Sequence, residues 1–299
     1  MKLDELVKTS LDELRMEMIG VQVLFGFQLQ GTFQKSFAAT PTAVKLVDFG
    51  GLCLIVLTLG LLIAAPAQHR LVDRGRATRR IHGVSQRLAG LSLAPLAFAV
   101  GCDVYVVSEH WFGPITSVAA SLGIAAMVLA LWYALGTGLR STVTQKEKAL
   151  RPPAEEKTEL HVKIDQMLTE ARVVLPGAQA MLGFQFVVTM TKAFAQLPDF
   201  VRDIHFVALG FLALAVTLLI TPAAVHRITF RGLDAERAHD IGSMLVTAAM
   251  IPLALGLVAD FFVASYKMLG RAQVAGIVAA IALSMLLALW YALPLALRR

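Results

Sequence analysis

Six side chains able to hold or pass a charge, Gln28, Lys35 and Asp103 together with Gln185, Lys192 and Asp260, stand inside or at the ends of otherwise apolar stretches. Polar groups in such surroundings cost free energy unless they meet a partner, a bundle interior or water, so they are functional candidates by default. At 100° per residue, Glu13, Glu17, Gly20, Leu24, Gln28, Gly31 and Lys35 project from one helical stripe. Glu170, Gly177, Gln185, Thr189 and Lys192 make a second stripe of the same kind. The chemistry open to this seam is the passage or coupling of a small cation or a proton, with Asp103 and Asp260 as acceptors. Lys35 and Lys192 end their stretches on the side where the aspartates lie, so an Asp–Lys pair is expected in each half. The alternative is hydrogen-bonding glue between helices, worth about 1 kcal/mol per glutamine in a membrane, with Gly20 and Gly177 permitting close contact.

A second set is basic: His69, Arg80 and His82, matched by His226, Arg237 and His239. Histidines at a gate would titrate near neutral pH. Basic residues at helix ends equally suit lipid phosphates and helix-terminal carbonyls. The spacing of His69 to His82 fits no zinc pattern, so no metal is expected. No phosphate-binding glycine loop, nucleophile elbow or His-Glu-x-x-His motif is present, and the soluble segments are too short for a catalytic domain. The expectation is a protein that is not an enzyme and takes no cofactor.

These residues come in pairs because the chain is written twice. Gly26-Phe27-Gln28, Lys35, Phe37 and Pro41 return 157 positions later as Gly183-Phe184-Gln185, Lys192, Phe194 and Pro198. The offset holds through His69 and His226, Pro95 and Pro252, and Asp103 and Asp260. Leu-Ala-Leu-Trp-Tyr-Ala-Leu at 129–135 recurs at 287–293, so one residue is inserted between Gly270 and Leu287. The division is a first repeat over 1–140, a cytoplasmic linker over 141–157 and a second repeat over 158–299.

The elements that must position these groups are membrane helices. Hydrophobic residues make up 57% of the chain and charged residues only 16%, where soluble domains carry about 25% charge. The apolar residues cluster into stretches long enough to cross about 30 Å of hydrocarbon. Four are expected per repeat: Met16 to Phe37, Ala43 to Ala67, Val84 to Val107 and Ile115 to Leu135, then Ala178 to Phe194, Val201 to Ala224, Ile241 to Ala264 and Ala272 to Leu293. The fold class is therefore all-α, a polytopic membrane protein of eight transmembrane helices in two parallel four-helix repeats. An even span count gives both copies one orientation, a pseudo-dimer about an axis along the membrane normal.

Arg70, Arg74, Arg76, Arg79, Arg80 and Arg87, with Arg227, Arg231 and Arg237, crowd the loops of one side, which places those loops and both termini in the cytoplasm. The net charge of +6 reads as a topology signal and a match to anionic lipid headgroups, not as a nucleic-acid surface. Trp132, Tyr133, Trp290 and Tyr291 suggest an aromatic belt. Met1 to Leu14, with an apolar stripe at Leu3, Leu6, Val7, Leu11 and Leu14, suggests an amphipathic segment on the inner membrane surface. Pro95 and Pro252 should kink the third and seventh spans, and Pro176-Gly177 should break the second copy before its span. Cys53 and Cys102 align with Gly210 and Ala259, which excludes a repeated disulfide framework. Self-association into a homo-oligomer stays open.

Leu-Pro-Gly-Ala-Gln at 175–179, followed by Gly183-Phe184-Gln185-Phe186, Phe194, Leu197, His226-Arg227 and Arg231-Gly232, resembles a family of short bacterial four-span membrane proteins, a domain of unknown function. Its members usually carry one copy; the first copy here departs at Ile19 and Thr40. The resemblance implies the four-span unit and the bacterial inner membrane, and no activity. Two functions stay open: a small channel or ion- or proton-coupled transporter with its polar seam between the repeats, and a structural or lipid-interacting membrane protein.

Overall fold

A computed structural model describes residues 3–134, 159–228 and 235–297. All of its regular structure is helical, with no strand among the described residues. The expected linker over 141–157, together with Arg231 and Gly232, lies outside them. The first half contains α1 (Leu3–Gly31), the short α2 (Lys35–Ala38), α3 (Thr42–Leu71), α4 (Arg79–Phe112) and α5 (Pro114–Leu129). The second half repeats the order: α6 (Leu160–Thr189), α7 (Lys192–Ala195), α8 (Asp199–Ile228), α9 (Glu236–Leu269), α10 (Ala272–Leu287) and the terminal turn α11 (Leu293–Ala296).

Matching sequence gives matching punctuation. Gly113 and Gly270 take φ of 75° and 67°, a left-handed conformation that costs glycine nothing, and each ends the third long helix of its half. After Gly113 the next helix starts at once on Pro114; after Gly270 it starts at Ala272. Arg271 in that turn is the inserted residue. Both fourth helices run into a π-helical turn reading Ala-Leu-Trp-Tyr-Ala, Ala130–Ala134 and Ala288–Ala292. The tyrosine of each turn donates to the third helix of its half: Tyr133 to the Gly90 carbonyl, Tyr291 to that of Thr247.

Seven helices, α3, α4, α5, α6, α8, α9 and α10 with their π-helical extensions, are long and apolar enough to cross a membrane. The eighth expected span is not among them. Helix α1 carries Glu17, Gln22, Gln28 and Gln30, which lower its hydropathy, yet Leu14, Met18, Val21 and Phe25 are fully buried. Glu17 and Gln28 meet side chains of α4, and Gln22 lies against α6.

Several local expectations change. The amphipathic start is no separate surface helix: it is continuous with α1, and Leu3, Val7, Leu11 and Leu14 are buried in the bundle. Pro176 lies inside the unbroken α6, because a bundle can re-satisfy the backbone group that a proline frees. Trp290 belongs to no belt. Its ring is wholly buried, and its indole Nε1 donates 3.0 Å to the Gly60 carbonyl of α3, across the halves. Trp132, its counterpart, is exposed; Gly60 aligns with Thr217, whose hydroxyl turns back on the Ala213 carbonyl.

The halves meet along α1 and α6, which run side by side in the same direction. Near their first residues Lys8 Nζ donates 2.6 Å to Asp165 Oδ2; near their last, Phe27 and Phe184 pack at 4.8 Å between ring centroids. Both pairs join residues 157 positions apart. Gly177 lets the Gln22 side chain lie against α6, and Gly26 faces the Phe184 ring.

Candidate functional site

The stripe read along α1 faces α4 of its own half, as a ladder of polar contacts. Ser10 Oγ lies 3.0 Å from His82 Nδ1, Gln86 Nε2 donates to Ser10 and to Glu13, and Ser92 Oγ donates 3.3 Å to Glu17 Oε2. The last rung is Gln28 Nε2 donating 2.5 Å to Asp103 Oδ1. The second half keeps that rung, Gln185 Nε2 donating 2.6 Å to Asp260 Oδ2. The polar pairs thus lie within each half, and the seam expected between the repeats is not where the glutamines point. Lys35 and Lys192 are exposed and pair with neither aspartate: the short α2 and α7 carry them out of the bundle, and glutamine takes the place expected for lysine.

Two ionisable residues complete these sites, and neither was singled out from the sequence. In the second half His205 of α8, fully buried, sets Nδ1 3.3 Å from Asp260 Oδ1 and Nε2 3.3 Å from the Gln185 carbonyl. The 157-residue offset maps His205 onto Asp48 of α3, which is 7% exposed and within the electrostatic reach of Asp103. Gly51, one turn further along α3, faces Gln28 Nε2 and Cys102, which places this face of α3 over the Gln28–Asp103 rung. A search for identities between repeats passes over a position where aspartate in one copy answers histidine in the other. A search for any ionisable residue inside an apolar stretch finds both.

The inner set separates into distinct environments. His69 is fully buried, and with Arg70 it binds Glu170 of α6: Nδ1 to Oε1, and the guanidinium to Oε2. This triad crosses from one half to the other, so His69 contacts protein rather than headgroups. Arg80 donates 3.0 Å to Gln68 Oε1 and 2.8 Å to Asp73 Oδ2, clamping the turn from α3 to α4 that Thr78 caps. His82 meets Ser10, Arg237 is exposed, and the side chain of His226 lies outside the described residues. His239 lines a groove of about 460 Å³ between the halves, with Arg70, Arg74 and Tyr291 on its polar side and Met244 and Ile251 on its apolar side. Lys8, in the inner lead of α1, is held above the usual lysine range by its hydrogen bond to Asp165. Among the described residues no group of three His, Cys, Asp or Glu could hold a metal ion.

Helical halves repeated in order, each built round a glutamine–aspartate rung inside apolar helices, define a duplicated membrane-type helical bundle. The chain matches the Family of unknown function (DUF6328) over residues 1–136 and again over 154–294. It belongs to that family and carries its domain twice. No curated protein and no solved structure matches it.

Proposed function

We propose that this is a bacterial inner-membrane protein of two parallel four-helix halves, a pseudo-dimer with α1 and α6 as protein-sheathed crossings and both termini in the cytoplasm, and that it moves or couples a small cation or proton. The observation that supports this reading is the burial of Asp48, His205 and Asp260, with Asp103 half-buried beside them, at corresponding places in both halves, inside helices otherwise apolar. Ionisable groups at such positions are costly and mark ion pathways and relays. The bilayer is the first partner, and the groove at Arg70, Arg74 and His239 suits an anionic headgroup with its acyl chain. No catalytic role is assigned.

The test is flux into vesicles reconstituted with the full chain. Replacing Gln28 and Gln185 with leucine keeps approximate volume and removes the amide that holds each aspartate. Wild-type flux of protons, sodium or potassium, lost in the double variant while the fold persists, supports the reading. Wild-type vesicles no more permeable than empty ones overturn it. A second reading rests on the tight packing of the rungs: Gln185, His205 and Asp260 are fully buried, as suits structural glue. It expects no flux and lower thermal stability, by about 1 kcal/mol per lost interhelical bond.

A further inference from the structure

The two halves place different residues around the same rung. By the 157-residue offset, Gln28, Asp48 and Asp103 correspond to Gln185, His205 and Asp260. In the second half the imidazole lies between two oxygen acceptors, Asp260 Oδ1 and the Gln185 carbonyl, each 3.3 Å from a ring nitrogen. A ring in that position can supply the positive charge that a buried carboxylate needs. The first half has a second carboxylate there instead. Neither Asp48 nor Asp103 forms an ion pair with a basic residue among the described residues. Two carboxylates sharing a low-dielectric site do not both stay ionised without a compensating positive charge.

A second observation, independent of the acidic pair, points to a ligand. Gln28 is 8% exposed, and its Oε1 is buried with no hydrogen-bond partner while its Nε2 holds Asp103; Gln185 Oε1 is orphaned in the same way, in the half where the His205 imidazole stands beside the rung. An orphaned carbonyl oxygen on the side chain that holds Asp103 is a third oxygen donor beside the acidic pair. Gln28 of α1 and Cys102 of α4, beside Asp103, face α3 at Gly51. On α3 itself Lys45 sets its ammonium over the Phe37 ring, 5.6 Å from the centroid.

We propose that Asp48, Asp103 and Gln28 of the first half bind one exchangeable monovalent cation, a proton or an alkali ion, at the place that the His205 imidazole fills in the second half. One half is then a site for an external charge and the other a copy locked by a charge of its own. The inference deepens the proposed function by naming the site and its cargo, and it concerns binding, which is measurable without flux.

The experiment is thermal unfolding of the purified full chain across pH, in choline chloride and then with sodium or potassium added at fixed pH. A ligand that binds only the folded state raises the unfolding midpoint with the logarithm of its concentration once that exceeds its Kd. Wild-type protein is expected to gain stability with proton activity or with one alkali ion. Asp48→His, which recreates the histidine–aspartate pair of the second half, should lose that response; His205→Asp should gain a second one. A response to pH in choline alone assigns the proton, and a response to sodium or potassium at fixed pH assigns an alkali ion. If Asp48→His does not fold, Asp48→Asn is judged by the same loss. An unchanged response in the variant that folds, or no gain in His205→Asp, overturns the proposal. Binding without flux in vesicles would sink the transport reading and leave the site standing.

Discussion

At the scale of single residues, charge compensation decides what each polar group does. Glu170 answers His69 and Arg70 in a buried triad across the halves, whereas Lys8 and Asp165 span the same interface half-exposed, at 49% and 50%. Removing one partner from a buried set strands the remaining charges, at a cost of about 3–5 kcal/mol, while an exposed pair is worth less than about 1 kcal/mol. Glu170→Ala should therefore lower the unfolding midpoint several-fold more than Asp165→Ala in the same purified chain. Equal losses would show that the triad is not buried. The sequence names Gln28, Asp103, Gln185 and Asp260 because glutamine and aspartate are conspicuous in apolar surroundings. It misassigns their partner, since residues at the same membrane side need not share a helix face, and Lys35 and Lys192 leave the bundle on α2 and α7. Asp48 and His205 are passed over for a different reason: they differ in type, so identities between the repeats do not mark them although the 157-residue offset aligns them.

At the scale of helices, the prolines are legible and the contact surfaces much less so. Pro95 and Pro252 lie within α4 and α9 as expected, and Gly113 and Gly270, which no motif singled out, end those helices. The small-residue pair read from the stripes, Gly20 and Gly177, divides. A Cβ on Gly177 would overlap the body of the Gln22 side chain, its Cβ included, while a Cβ on Gly20 would meet nothing within 4 Å. Gly177→Ala should cost about 1–3 kcal/mol through overpacking between α1 and α6. Gly20→Ala should be neutral or stabilise by up to about 1 kcal/mol through helix propensity. Thermal unfolding of both variants checks this, and a larger loss at Gly20 would mean that the stripe of α1 faces another way. No spacing rule separates these glycines, because which side of α1 meets α6 and which meets α4 is set by packing.

At the scale of the molecule, duplication is the most legible property, since 157-residue spacing demands equal loops and the halves do repeat the same helix order. The span count is less legible: seven helices are long and apolar enough to cross a membrane, and α1, with its polar ladder against α4, is not one of them. The docking of Trp290 on Gly60 was not legible either, because both π-helical turns carry the same five residues and only the surface opposite differs.

The central claim is that the halves lie parallel, with α1 and α6 in register. The direct test is paired cysteine cross-linking in a chain with Cys53 and Cys102 replaced by alanine and a protease site placed within residues 141–157. Lys8→Cys with Asp165→Cys, and separately Phe27→Cys with Phe184→Cys, should each hold the two halves together after cleavage. Cross-linking of Lys8→Cys to Phe184→Cys in place of these pairs would mean antiparallel halves and would contradict the account.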